Sequence, residues 1–195
     1  PWRVFDGLLK YRSLLWVMVK RDVIGRYKGS VFGLLWSLFN PILTLSVYTL
    51  VFGGIFGAPT GRGTGQTSYA VFLFSGMIFY LLFSECVNRS PTLIIQNANY
   101  VKRVVFPLEI LPWVTLGSAV FHFLVSSVVL LGASLLLTHF IPWTYIFFPL
   151  PLACLVMLIM GCSWFLASLG VFLRDIAQTI LVITSLMLYL SPVLY

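Results

Sequence analysis

The chain has 195 residues, of which 60% are hydrophobic and 9% charged; it carries a net charge of +7 and a mean hydropathy of +1.02. A soluble domain carries about 25% charged residues, and one soluble core has no room for this much apolar surface, so a bilayer must be the solvent for most of the chain. The basic residues flank apolar runs instead of forming a patch, which excludes nucleic acid as a partner and points to membrane topology.

Taken in chain order, residues 1–32 read as a cytoplasmic interfacial segment, helical over about residues 7–28, with Asp6 placed to cap it. At 100° per residue, Lys10, Lys20, Arg21 and Lys28 share one sector. Leu8, Leu15, Met18 and Val19 fall opposite, where Arg12 and Arg26 intrude. Such a helix suits the headgroup layer, its basic chains snorkelling toward phosphates, or a surface that also meets a protein partner.

Five apolar windows follow, at 33–56, 69–88, 108–138, 144–172 and 177–195. Each approaches or exceeds the roughly 20 residues that a spanning helix needs. None alternates apolar with polar as barrel strands do, so the expected fold class is all-α, a polytopic membrane protein with about five spans. Asn40-Pro41 interrupts the hydrogen-bond ladder of the first span and predicts a kink. Gly25, Gly29 and Gly33, and again Gly53 and Gly57, have the small-xxx-small spacing that permits close helix approach. No cleavable leader is read, so the first span is expected to be its own insertion signal. The last run is still apolar at Tyr195, and a sixth span is expected beyond it.

The connecting segments set the orientation. Arg3, Lys10, Arg12, Lys20, Arg21, Arg26 and Lys28 precede the first span, Arg89, Lys102 and Arg103 follow the second, and Arg174 follows the fourth. Of the 12 Lys and Arg residues, only Arg62 falls on the other side. The positive-inside rule makes the richer side cytoplasmic, together with the N-terminus and the loop 89–107.

Ionisable residues near or within spans are costly and invite a reading each. Glu85 and Arg89, spaced i, i+4, can pair at the cytoplasmic end of the second span. Glu109, between Pro107 and Pro112, suits either a helix N-terminus or a basic partner in a cytoplasmic loop. His122, well inside the third span, reads as a neutral packing residue before it reads as a proton relay. Glu85, Glu109 and His122 lie on different spans without evident convergence, which counts against an intramembrane glycosyl or acyl transferase. Secondary transport would need acids at the membrane midplane, and none is found there.

Cys86, Cys154 and Cys162 lie in apolar stretches without a CxxC or Cys/His cluster, as packing residues do; no metal is expected. Asn88-Arg89-Ser90 matches a glycosylation acceptor but falls on the cytoplasmic side and is discarded. The sequence has no phosphate loop, no H-E-x-x-H and no G-x-S-x-G. The chain therefore holds no cofactor of its own, and any ATP hydrolysis belongs to another chain. Aromatic residues are 16% of the total, enough for interfacial belts and for rings lining a sugar path.

The run Arg21-Asp22-Val23-Ile24-Gly25-Arg26-Tyr27-Lys28-Gly29-Ser30-Val31-Phe32-Gly33-Leu34-Leu35-Trp36, with Asn40-Pro41 after it, resembles the permease subunit of ABC-2 type exporters of polysaccharides and polyol phosphates, the O-antigen exporters above all. The segments from Asn99 to Pro112 and from Phe172 to Ile176 are similar to the same family's second cytoplasmic loop and its F-x-R-D-[IV] signature. The resemblance implies an ABC-2 permease fold of six spans in the bacterial inner membrane. It also implies a homodimer, an ABC ATPase partner carrying Mg-ATP, and a lipid-linked polysaccharide moved outward. By the same resemblance the stretch from about Thr92 to Arg103 couples to the ATPase, with Asn97, Asn99, Tyr100, Lys102 and Arg103 as contacts. Lys20, Arg21, Arg26 and Lys28 are then candidates for the pyrophosphate linker or for bulk anionic lipid. Glu85, Arg89, Glu109, Arg174 and Asp175 are candidates for the cytoplasmic entrance or for structural polar contacts. Capsule or teichoic acid polymers, lipids and drugs are the alternative cargoes.

Overall fold

A backbone in hydrocarbon must satisfy its own N–H and C=O groups, and the computed structural model meets that demand with helices. It describes residues 11–51, 66–98, 108–138, 143–173 and 175–191, and no strand occurs among them. The helices are α1 (Arg12–Tyr27), α2 (Trp36–Tyr48), α3 (Gln66–Arg89), α4 (Leu93–Gln96), α5 (Leu111–Thr138), α6 (Pro149–Phe172) and α7 (Ile176–Leu190). Short 3-10 turns at Gly33–Leu35, Ser90–Thr92, Leu108–Ile110 and Trp143–Phe147 lead into or join them.

Four stretches are long and apolar enough to cross a bilayer: Gly33–Val51, Ala70–Gln96, Leu108–Leu136 and Tyr145–Phe172. The fifth expected window is an apolar helix of 15 residues. At 1.5 Å per residue it reaches only about 22 Å, less than the ~30 Å hydrocarbon layer. Residues 192–195 of that window lie outside the described residues, as does Asp6.

The core sits where α3 and α5 pack along their length and α6 closes over them. Phe79, Phe123 and Phe148, one from each of α3 and α5 and one at the start of α6, form a ring cluster with centroids 4.8–5.6 Å apart. Phe74, Ile78 and Leu82 of α3 and Leu130 of α5 are almost wholly buried beside it. The first span is packed far less tightly, with most of its length exposed. It runs helically through Pro41, which lacks an N–H to donate to the Ser37 carbonyl. The Thr44 hydroxyl bonds the Asn40 carbonyl at 2.9 Å one turn on.

Helix α1 packs onto the bundle. Met18, Val19 and Val23 are buried against Ile110, Leu111 and Val114 at the start of α5, with Leu14, Leu15 and Ile94 around them. Val19 packs against Gly117, where an added Cβ would come within 2.7 Å of the Val19 Cγ2. The glycines picked out by spacing act differently. A Cβ at Gly25, Gly29 or Gly33 would meet nothing within 4 Å, so no described helix approaches closely there, and Gly53 and Gly57 lie outside the described residues. Gly29 (φ 92°) and Gly33 (φ 51°) instead turn the chain from α1 into the first span, a backbone shape that other residues rarely adopt.

Candidate functional site

The polar residues of the bundle gather where the last two turns of α1 cross the end of α3. Asp22 and Tyr27 are half-buried on the side of α1 that begins with Leu15, Met18 and Val19, and the more exposed Arg26 lies between them at the rim. The Arg89 guanidinium forks onto the Asp22 carboxylate, with Nη2 2.8 Å from Oδ1 and Nη1 2.9 Å from Oδ2. Arg26 is ion-paired through a single nitrogen to Oε1 of Glu85. Nη1 of Arg89 also lies 3.7 Å from that same Glu85 oxygen. The four charges therefore alternate along one chain: Asp22, Arg89, Glu85, Arg26.

Burial by itself would raise the Asp22 carboxyl. The hydrogen bonds and charge of Arg89, with help from Ser118 and Arg26, outweigh it and hold the group below its ordinary range. Burial pushes the Tyr27 phenol up, so it stays a neutral hydroxyl. That hydroxyl is 3.4 Å from Nδ1 of His122, and the two rings meet edge to face with centroids 5.8 Å apart. His122 Nε2 is buried without a hydrogen-bond partner among the described residues.

Beside this cluster a cavity of about 310 Å³ opens between the first span, α3 and α5. Arg26, Tyr27, Glu85 and His122 supply its charged end, and Phe74, Ile78, Leu81 and Phe123 an apolar wall. Glu85 and His122 thus do converge on one space, contrary to the expectation from their separate spans. Spacing along the chain carries no information about which turns of two helices face each other. In that space Glu85 is ion-paired to Arg26.

The end of α3 is held from two further sides. Asn88 accepts a hydrogen bond at Oδ1 from the Thr184 hydroxyl of α7 (2.8 Å), and the Tyr80 hydroxyl donates to the Thr184 carbonyl (2.7 Å). Pro91, in the turn that follows, lies so close to Gly170 of α6 that a Cβ there would collide with the Pro91 backbone. From this fixed turn the chain enters α4, which Asn97 closes by bonding the Leu93 carbonyl through both its backbone N–H and its Nδ2 (3.2 and 2.9 Å).

Other expected positions are scattered. Lys20, Arg21 and Lys28 lie on the exposed face of α1, interleaved with Trp16, Val17 and Ile24. Glu109 is exposed in the turn before α5, where its backbone carbonyl accepts from Trp164 Nε1 at 3.5 Å. Asp175 precedes α7, and its carbonyl, not its carboxylate, accepts from the backbone N–H groups of Gln178 and Thr179 in the first turn of that helix. Asn99, Tyr100, Lys102, Arg103 and Arg174 lie outside the described residues. Sequence reasoning overlooked Asp22, Tyr27 and Thr184 and set Asn88 aside. The signal for Asp22 was present: it is the only acid of α1 and sits four residues after Met18 and four before Arg26, on the apolar stripe.

Comparison with known proteins agrees with this architecture. The O-antigen export system permease protein RfbA of Myxococcus xanthus is 26% identical over 193 residues, covering 99% of this chain and 72% of its own length. A protein of the same name from Klebsiella pneumoniae is 29% identical over 185 residues, covering 94% and 69%. The polysialic acid transport protein KpsM of Escherichia coli is 34% identical over 92 residues, 46% of this chain and 33% of its own. Residues 13–195 match the family described as ABC-2 type transporter. That match runs from the second residue of α1 through every described span, and the chain is accordingly a multi-pass membrane protein of the ABC-2 type transporter family.

Proposed function

We propose that the chain is the membrane-spanning subunit of an ATP-driven exporter that moves a lipid-linked polysaccharide, O-antigen-like, from the cytoplasmic leaflet across the bacterial inner membrane. Two copies form the conduit, the N-terminus is cytoplasmic, and a separate ABC ATPase supplies the energy. The observation that carries this reading is the similarity, over nearly the whole chain, to permeases named for O-antigen export. The placement of basic residues supports the orientation.

The geometry supports a route for the coupling. Closure of an ATPase does work on the membrane subunit only through an element with two discrete arrangements. The segment from Thr92 to Arg103 begins at a turn wedged on α6, tied by Asn88 to α7 and by Arg89 and Glu85 to α1. A push on that segment therefore reaches three helices at once. Asn97, Asn99, Tyr100, Lys102 and Arg103 are the residues we assign to the ATPase contact.

Reconstitution of the complete permease with its ATPase tests the reading. Hydrolysis stimulated by a lipid-linked glycan, and lost in Lys102→Ala/Arg103→Ala while the protein still folds, is the expected result. A permease that neither binds an ATPase nor alters its turnover would sink it. The partial likeness to a polysialic acid transport protein keeps a capsule-type polymer as the second reading for the cargo, and stimulation by that polymer in place of an O-antigen glycan would select it.

A further inference from the structure

We infer that the cavity beside Arg26 is a binding site for the phosphate of an anionic amphiphile, and that Glu85 occupies the anion's place on Arg26 until it arrives. The identity of the amphiphile as the lipid linker of an exported polymer rests on the export reading; the binding chemistry does not.

The two ion pairs of the cluster are unequal. Arg89 uses both terminal nitrogens on Asp22, the geometry in which a guanidinium binds most strongly. Arg26 offers an equal fork but meets Glu85 through one nitrogen and one oxygen. Arg26 lines the charged end of the cavity, and Glu85 engages one of its two terminal nitrogens there. A phosphate presents two oxygens at the spacing of that fork, which a lone carboxylate oxygen does not.

Glu85 in turn has a second cation waiting. Its Oε1 is already 3.7 Å from Arg89 Nη1. Displacement from Arg26 therefore leaves the carboxylate paired rather than stranded, and a stranded charge is what normally forbids such an exchange. The exposed Lys20, Arg21 and Lys28 on the same helix add positive potential that draws an anion toward it.

The rest of the cavity suits the remainder of an amphiphile. Phe74, Ile78, Leu81 and Phe123 offer an apolar wall continuous with the spans. The Asn40 amide and the Ser126 hydroxyl also line the space. At about 310 Å³ the cavity lies at the lower end of the roughly 300–1,000 Å³ of small-ligand pockets. It has room for a headgroup and not for a polymer.

The test is equilibrium binding to the complete permease in nanodiscs of neutral lipid, with four probes: a polyprenyl phosphate, the matching uncharged polyprenol, inorganic phosphate and phosphatidylglycerol. We expect the polyprenyl phosphate to bind on the order of tenfold more tightly than the polyprenol, and Arg26→Gln to remove that difference. Glu85→Gln should tighten binding several-fold, because a competitor for Arg26 has gone; a pair that merely holds the fold gives the opposite sign. Inorganic phosphate binding as well as the lipid would assign the site to free phosphate, and phosphatidylglycerol doing so would assign it to bulk membrane lipid. The second outcome upholds the proposal with bulk lipid as the amphiphile; the first overturns the amphiphile and leaves only an anion site at Arg26. Equal affinity for phosphate and alcohol, or unchanged or weaker binding in Glu85→Gln, overturns it. Should Arg26→Gln fail to fold, Glu85→Gln decides alone. Phosphate-dependent binding without any effect on a partner ATPase removes the export reading and leaves the site; glycan-stimulated hydrolysis with no phosphate preference removes the site and leaves the export reading.

Discussion

Asp22 of α1 and Arg89 of α3 share a two-pronged ion pair, 2.8 and 2.9 Å, that fastens α1 to the end of α3. The pair joins segments 67 residues apart in sequence, and both partners are mostly shielded, with side chains 27% and 31% exposed. Its loss should detach the C-terminal half of α1.

Removal of one partner strands the other. Breaking a fully buried pair costs about 3–5 kcal/mol; at this partial exposure we expect Arg89→Ala to cost about 1–3 kcal/mol. Arg89→Lys should recover only part of it, because an ammonium cannot reproduce the fork. In a double-mutant cycle by unfolding of the purified protein, Asp22→Ala combined with Arg89→Ala should cost less than the two single changes added together. Strict additivity would show that the fork contributes nothing.

The same pair fixes a pH dependence. Asp22 titrates below its ordinary value of 3.8 in the folded protein. A group whose folded pKa is depressed binds fewer protons folded than unfolded, so stability falls as pH falls through that window. The stabilisation is complete above the ordinary value and is lost as pH drops through the lower, folded one. Melting temperatures of wild type and Asp22→Asn should therefore differ by a constant amount from neutral pH to about 5 and converge below about 3.8. A gap that closes between pH 7 and 5 would place the titration on another group.

How these partners escaped sequence reading has a physical explanation. The apolar windows were legible because the bilayer sets their length, and four described stretches, Gly33–Val51, Ala70–Gln96, Leu108–Leu136 and Tyr145–Phe172, are long and apolar enough to cross it. Arg26 was legible only as a flaw, a charge on the wrong side of an amphipathic helix. Arg26 remains about a third exposed, yet its guanidinium reaches across to Glu85 of α3, so the flaw is the contact. Asn88 drew attention only as part of a modification motif, and Thr184 sits in an apolar run with no local mark. Their pairing depends on the rotation of α7 about its axis, which composition does not encode. The close approaches came at Gly117 and Gly170, which stand outside any glycine repeat, because an approach needs one small residue opposite one bulky neighbour and no periodicity.

Thr184 is 2% exposed and hydrogen-bonds Asn88 across the α3–α7 contact. Thr184→Val keeps the shape and removes the hydroxyl, leaving the Asn88 oxygen without its donor. The expected loss is about 1 kcal/mol, with an upper limit near 3 if no water replaces the hydroxyl. Ser185→Ala is the matched control: its exposed hydroxyl bonds only the Leu181 carbonyl of its own helix. It should be close to neutral by thermal unfolding. Equal effects at the two positions would mean that the Asn88 contact is immaterial.

Gly170 and Gly161 lie on the same helix, α6, and answer differently to a methyl group. A Cβ at Gly161 meets nothing within 4 Å, so Gly161→Ala should be neutral or stabilise by up to about 1 kcal/mol through helix propensity. A Cβ at Gly170 would strike the carbonyl of Pro91 and lie 2.7 Å from its Cα and C atoms. These are backbone atoms in a turn, and they cannot swing aside as a side-chain end would. Gly170→Ala must push α6 away from that turn, at about 1–3 kcal/mol for an overpacked contact. Because the turn opens the segment assigned to the ATPase, the variant should also lower glycan-stimulated hydrolysis by more than its stability loss explains. Hydrolysis per folded molecule, compared between Gly161→Ala and Gly170→Ala, measures this directly. If the two variants hydrolyse ATP alike, the wedge at Pro91 positions the helix and transmits nothing.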